Sequence, residues 1–208
     1  MPDLKLALIP GEPKRLELSW KSNWKDFTIR VDGQVIGMIP DEKALKKGLT
    51  FSLPDGSTLA VGLKSIWVGT ELEVLRNGMP VPGSATDPET QLRGVVGILY
   101  FVAILSAVIG TIAALFRVEF LLNLGMGIPS VVFGVIFGWL GYFTGRRSII
   151  ALGLAIALFA ADGIYSIIVL AQESRNPPMG AIIVRVLLLA GMCRGFPAIR
   201  RLRSVGTK

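Results

Sequence analysis

Histidine is missing from this chain, and cysteine occurs once, at Cys193. Without imidazole there is no side chain that normally titrates near neutral pH, which excludes histidine-based general acid–base catalysis. One cysteine can neither close a disulfide within the chain nor build a cysteine-rich zinc site. Acids are scarce in one half as well: residues 93–208 contain only Glu119, Asp162 and Glu173. No carboxylates fall at the spacing of a calcium loop. The expectation is a protein with no metal, no cofactor and no catalytic residues, and so not an enzyme.

Apolar residues, in contrast, are abundant. They make up 51% of 208 residues, and the mean hydropathy is +0.59. Soluble proteins of this length are seldom so apolar. The excess lies after Arg93, while the first half has an ordinary soluble composition. Charge divides at the same place. Residues 1–92 carry 11 Lys/Arg against 12 Asp/Glu, and residues 93–208 carry 11 Lys/Arg against 3 Asp/Glu. The net charge of +7 therefore belongs to the apolar half, where it acts as a topology signal. A nucleic-acid binder would carry a basic patch on its soluble part, so no nucleic acid partner is expected. The stretch Met1 to Pro10 is too short for a signal peptide and is broken by Asp3 and by Pro10-Gly11. The first targeting signal expected is the first membrane helix.

Residues 1–83 alternate in hydrophobicity with period two, the pattern of half-buried strands. The runs are Leu4/Leu6/Leu8, Leu16/Leu18/Trp20, Phe27/Ile29/Val31, Leu49/Phe51/Leu53, Leu59/Val61/Leu63 and Leu72/Val74. Asp32-Gly33, Asp55-Gly56 and Asn77-Gly78 separate runs and favour the positive φ of tight hairpins. Asp41 and Gly48 bracket a short helix as N-cap and C′ residue. The expected fold is a small all-β sandwich or barrel of about seven strands, with Trp20, Trp24 and Trp67 as core or rim packing.

Met79-Pro80-Val81-Pro82-Gly83-Ser84-Ala85-Thr86 has the composition of a linker. Asp87 then reads as an N-cap and Pro88 as the first helical residue, so residues 84–93 join the β domain to the first helix. Residues 94–199 form a membrane α-helical bundle of about four transmembrane helices, expected at 94–116, 120–143, 148–171 and 179–199. A basic tail, 200–208, follows. With four spans, Arg93, Arg146, Arg147, Arg194, Arg200, Arg201, Arg203 and Lys208 fall on one side, and only Arg117 and Arg175 on the other. The positive-inside rule then places both termini in the cytoplasm of a multi-pass protein of the cell (plasma or inner) membrane.

Three features of the helical half are candidate sites. Gly134, Gly138, Gly141 and Gly145 recur at helix-packing spacing, as do Ala103, Ala107, Gly110 and Ala114 in the first span. Pro129, after Gly125-Met126-Gly127-Ile128, is a candidate kink in the second span. Asp162 and Arg185 are ionisable residues within spans, which are expensive there. Counted from the shared end of their two antiparallel helices, they lie at similar depth and form a candidate intramembrane ion pair. Two roles stay open for it: fixing helix register, or carrying an ion or proton through Asp162. Asn123, Tyr165 and Ser166 are further polar residues that form no recognisable relay.

The run Asp26-Phe27-Thr28-Ile29-Arg30-Val31-Asp32-Gly33, with Asp55-Gly56 and Asn77-Gly78, resembles the β domain of the Fas apoptotic inhibitory molecule family over about residues 14–83. That resemblance implies a β-sandwich and a protein-interaction role, and the membrane half has no counterpart there. The layout in which Gly83-Ser84-Ala85-Thr86-Asp87-Pro88 leads into four helices resembles bacterial four-helix membrane proteins of uncharacterised function. The function expected is a membrane-anchored protein-interaction or assembly module. Its partners would be the lipid bilayer, a cytosolic or membrane protein held by the β domain, and a second copy of the chain. The alternative is a small oligomeric transporter or channel subunit using Asp162 and Arg185.

Overall fold

A computed structural model describes residues 3–66, 69–117, 127–172 and 179–205. Trp67 and Asn123 lie outside these segments. The chain divides into two compact units between Gln91 and Leu92.

The first unit contains eight strands: β1 Asp3–Leu6, β2 Leu16–Lys21, β3 Lys25–Val31, β4 Gln34–Ile39, β5 Leu49–Ser52, β6 Thr58–Ile66, β7 Gly69–Arg76 and β8 Met79–Pro80. They form two four-stranded antiparallel sheets, β1-β2-β3-β4 and β5-β6-β7-β8, each paired in strict chain order. Asp32-Gly33 and Asn77-Gly78 have positive φ at both positions. That is the type I′ hairpin geometry, whose twist matches the strands it joins. Alternation turns Leu16, Leu18, Phe27, Ile29 and Ile39 of one sheet and Leu59, Val61 and Val74 of the other into one core. Burying each such side chain contributes about 1.5–3 kcal/mol. Helix α1, Glu42–Lys47, links the sheets. The Asp41 carboxylate caps it by accepting from the Ala44 N–H at 2.8 Å.

One arginine ties the first unit together. Arg76, at the end of β7, donates to the Asp55 carboxylate at 2.7 Å, to Ser57 Oγ at 3.0 Å and to the Leu8 carbonyl at 3.3 Å. It thereby joins the β5–β6 turn to the β1–β2 loop. Asp55 also accepts from the hydroxyl and the N–H of Ser57, which with Arg76 hold its pKa below the ordinary value. Asp32 is lowered likewise by its ion pair with Arg15.

The expected linker turns out to belong to this unit. Met79–Pro80 pairs with Leu75 and Arg76 as β8. Val81 is fully buried, and Ser84 and Thr86 are buried too. Proline is tolerated in β8 because an edge strand leaves one row of donors unused.

Helix α2, Pro88–Leu115, starts where the Asp87 carboxylate accepts from the Thr90 N–H at 3.2 Å and the Thr90 hydroxyl at 2.8 Å. The second unit continues with α3 Ile128–Gly145, α4 Ile149–Gln172, α5 Met179–Cys193 and α6 Gly195–Val205. Four helical stretches are long and apolar enough to cross a membrane: Pro88–Leu115, Ile128–Gly145, Ile149–Val169 and Met179–Ser204. The last is interrupted at Arg194, between α5 and α6. Pro197 explains the break, because it has no N–H for the Cys193 carbonyl and its ring crowds that carbonyl. Leu99, Phe137, Leu152, Met192 and Ile199 form the centre of the core of this unit. Its outward positions carry large apolar side chains, among them Ile104, Val135, Ile150 and Ile164.

Candidate functional site

Asp162 lies on α4 about 20 Å from the start of a helix about 36 Å long, and Arg185 lies about 9 Å into α5, at 1.5 Å per residue. The structure brings the two together. An Asp162 carboxylate oxygen stands 3.1 Å from Arg185 Nη2. The same nitrogen donates to Ser166 Oγ at 3.2 Å, and the Ser166 hydroxyl donates to the Asp162 carbonyl at 2.9 Å. Ser166 is one turn beyond Asp162, so both face the same neighbour. Gly163 lets the arginine in: a Cβ there would fall 3.1 Å from Arg185 Nη1. Asp162, Gly163 and Ser166 thus form a cradle on α4 that seats the guanidinium from α5.

This cradle is not sealed inside the helical core. The Asp162 side chain keeps 41% of its exposure and that of Arg185 keeps 32%. Tyr165, on the same stretch of α4, points outward and is 68% exposed. Gly163 and Ser166 are the members whose roles sequence reading missed. The i to i+4 spacing of Asp162 and Ser166 in an apolar helix was the signal for Ser166, and Gly163 had none.

The glycines of α3 lie on one stripe but do not all meet a neighbour. A Cβ on Gly134 would fall 2.6 Å from the Ala103 carbonyl and 2.9 Å from the Ala107 nitrogen. Gly141 lies against Leu99 and Tyr100, and Gly145 against Val96. These three sit on the seam between α2 and α3. Gly138 meets nothing within 4 Å. On the α2 side, a Cβ on Gly110 would fall 2.7 Å from the Gly127 carbonyl. Pro129 stands in the first turn of α3, where a helix has an orphan N–H and loses nothing to proline. The segment before Gly127, expected to belong to the same span, lies outside the described residues.

Among the described residues no three His, Cys, Asp or Glu side chains come together as metal ligands. The Cys193 thiol is exposed. No protein-family model, curated protein or solved structure matches this chain.

Proposed function

We propose that this protein is a membrane-anchored interaction or assembly module, in which the helical unit spans the bilayer, holds a cytoplasmic β domain and takes a further helix against the face carrying Asp162 and Arg185. The observation that carries the reading is the half-exposed ion pair. In a lipid-facing position a carboxylate and a guanidinium lack the water that would solvate what their mutual contact leaves unsatisfied. A neighbouring helix would cover them, from a second copy or from a partner protein. The small-residue seam supports this indirectly: Gly134 and Gly141 are already used within the chain, so it offers no free face to a partner, whereas the ion-pair face does. The two-sheet β unit, a sandwich in this reading, supplies the soluble surface, as its resemblance to the Fas apoptotic inhibitory molecule β domain would suggest. Clustering of arginines at one end of the spans favours cytoplasmic termini.

Disulfide trapping tests this reading. Tyr165→Cys in a Cys193→Ser background puts a thiol beside the ion pair, and Trp139→Cys puts one on α3 as a control. Oxidation in native membranes should trap Tyr165→Cys in a defined higher species and leave Trp139→Cys monomeric. Monomer in both cases would overturn a second copy as the covering helix. Mid-helix placement of Asp162 favours the second reading, a small transporter or channel subunit. Ion flux in liposomes that Asp162→Asn abolishes would establish it.

A further inference from the structure

The arginines at the other end of the helical unit are assembled by the fold. The α3–α4 turn carries Arg146 and Arg147, with Arg147 at a φ of 64°. Helix α6 brings three more. Its apolar face is seated in the core, where Ala198 and Ile199 are fully buried. A Cβ on Gly195 would fall 2.7 Å from the Leu152 side chain and 3.1 Å from that of Val95, so glycine suits this close approach. Arg200, Arg201 and Arg203 therefore stand on the outer face of a helix that is fixed in place. Arg203 Nη2 donates to the Arg147 carbonyl at 2.8 Å, which pins α6 to the turn. Arg200 is one turn earlier on the same flank. Among the described residues no carboxylate makes an ion pair with Arg146, Arg147, Arg200 or Arg201. Helix α4 also opens at this turn, and Ser148 caps it by accepting from the Ala151 N–H at 3.3 Å. Its dipole adds positive potential.

The neighbouring surface of α3 is apolar and grooved. Val135, Ile136, Trp139, Leu140 and Phe143 line an open groove of about 300 Å³. Arg146 follows one turn beyond Phe143, and its guanidinium lies 5.3 Å from the centre of the Tyr142 ring. Trp139 and Tyr142 are exposed, as aromatic side chains at a membrane–water boundary are. Reading along α3 towards its end, the surface passes from an apolar groove, through an aromatic belt, to a cluster of guanidinium groups.

We infer that this end of the helical unit is a binding site for an anionic phospholipid. The phosphate is held by Arg146, Arg147 and Arg200, and an acyl chain lies along the groove beneath Trp139. Guanidinium groups suit phosphate because they present parallel donors to its oxygens. The order of the three zones matches the order of chain, glycerol and headgroup in a lipid. A soluble phosphate would use the arginines but leave the groove empty, and a neutral lipid would fill the groove without drawing on the arginines.

The test is native mass spectrometry of the full-length protein released from neutral detergent, titrated with phosphatidylglycerol, with phosphatidylcholine, and with inorganic phosphate as competitor. Phosphatidylglycerol should bind at least about tenfold more tightly than phosphatidylcholine, because basic groups at a bilayer surface favour anionic lipids. Inorganic phosphate should not displace it. Combined Arg146→Gln, Arg147→Gln and Arg200→Gln should bring phosphatidylglycerol to the level of phosphatidylcholine. Trp139→Ala should weaken both lipids together. Equal binding of the two lipids by the unaltered protein would overturn the inference without reference to any variant. Displacement by inorganic phosphate would overturn it in favour of a free anion.

Discussion

Replacing Gly134 with alanine should loosen the α2–α3 seam, while the same replacement at Gly138, one turn away, should not. The added methyl at Gly134 would stand 2.6 Å from the Ala103 carbonyl, 2.9 Å from the Ala107 nitrogen and 3.1 Å from the Ala107 Cβ. Two of these neighbours are backbone, so relief requires the helices to move apart. Overpacking of this kind costs about 1–3 kcal/mol. At Gly138 nothing lies within 4 Å, so the methyl meets no protein atom. Alanine is also the better helix former, by about 0.8–1.0 kcal/mol. Both replacements receive that gain, so it cancels when they are compared. The difference expected between the two variants is therefore about 1–3 kcal/mol, and each 1.4 kcal/mol is a factor of about ten in the folded-to-unfolded ratio. Sodium dodecyl sulfate titration from mild detergent, followed by circular dichroism, measures it. Gly138→Ala should unfold at or above the denaturant fraction of the unaltered protein, and Gly134→Ala clearly below it. Coincident curves, or a larger loss at Gly138, would refute the seam.

Other consequences are equally open to measurement. Asp162→Ala should destabilise the helical unit more than Asp162→Ala with Arg185→Ala, because the single variant strands a cation in an apolar setting; a double variant as weak as the single in the same titration would argue against a coupled pair. Thr144 is fully buried, and among the described residues its hydroxyl finds no hydrogen-bond partner. Thr144→Val removes that unsatisfied group at nearly constant shape and should leave stability unchanged or raise it by about 1 kcal/mol. The folded-state pKa values of Asp32 and Asp55 are lowered, so their contribution is present above the unfolded carboxylate pKa and is lost as pH falls through the folded value. Urea unfolding followed by tryptophan fluorescence should show the β unit weakening below the ordinary carboxylate range, and Asp55→Asn should flatten that dependence. Asp87→Ala removes the cap of α2 and should cost about 1 kcal/mol, read as a lower melting temperature.

Much of the β unit is legible from alternation alone, because residues such as Leu16, Leu18, Phe27 and Ile29 report a buried face directly. Strand β4 is not. Its register shifts opposite Ile29 and Arg30, where Ile29 faces Gly37 and Arg30 faces Val35. The extra residue, Ile36, destroys period two and leaves Gln34–Ile39 looking like an unpatterned apolar run. Strand β8 was hidden for a different reason. Two prolines and a glycine suggest a linker, yet an edge position excuses Pro80 from donating. In the helical half, spans announce themselves by length, whereas packing does not. Gly134 and Gly138 are indistinguishable as letters, and only the placement of α2 separates them. Ser166 and Gly163 likewise acquire meaning only once Arg185 arrives from another helix.

Strict chain-order pairing of the strands also bears on how the protein is made. Every strand finds its sheet neighbour next to it in sequence, through turns as short as Asp32-Gly33 and Asn77-Gly78. Such local topologies close small loops and fold quickly. All eight strands precede the first long apolar helix, and domains generally fold as units, N-terminal first, during synthesis. The strands of both sheets are complete in the chain before that helix emerges. Insertion of the apolar helices into a bilayer would then begin with the strands already synthesised, each beside its sheet partner in sequence.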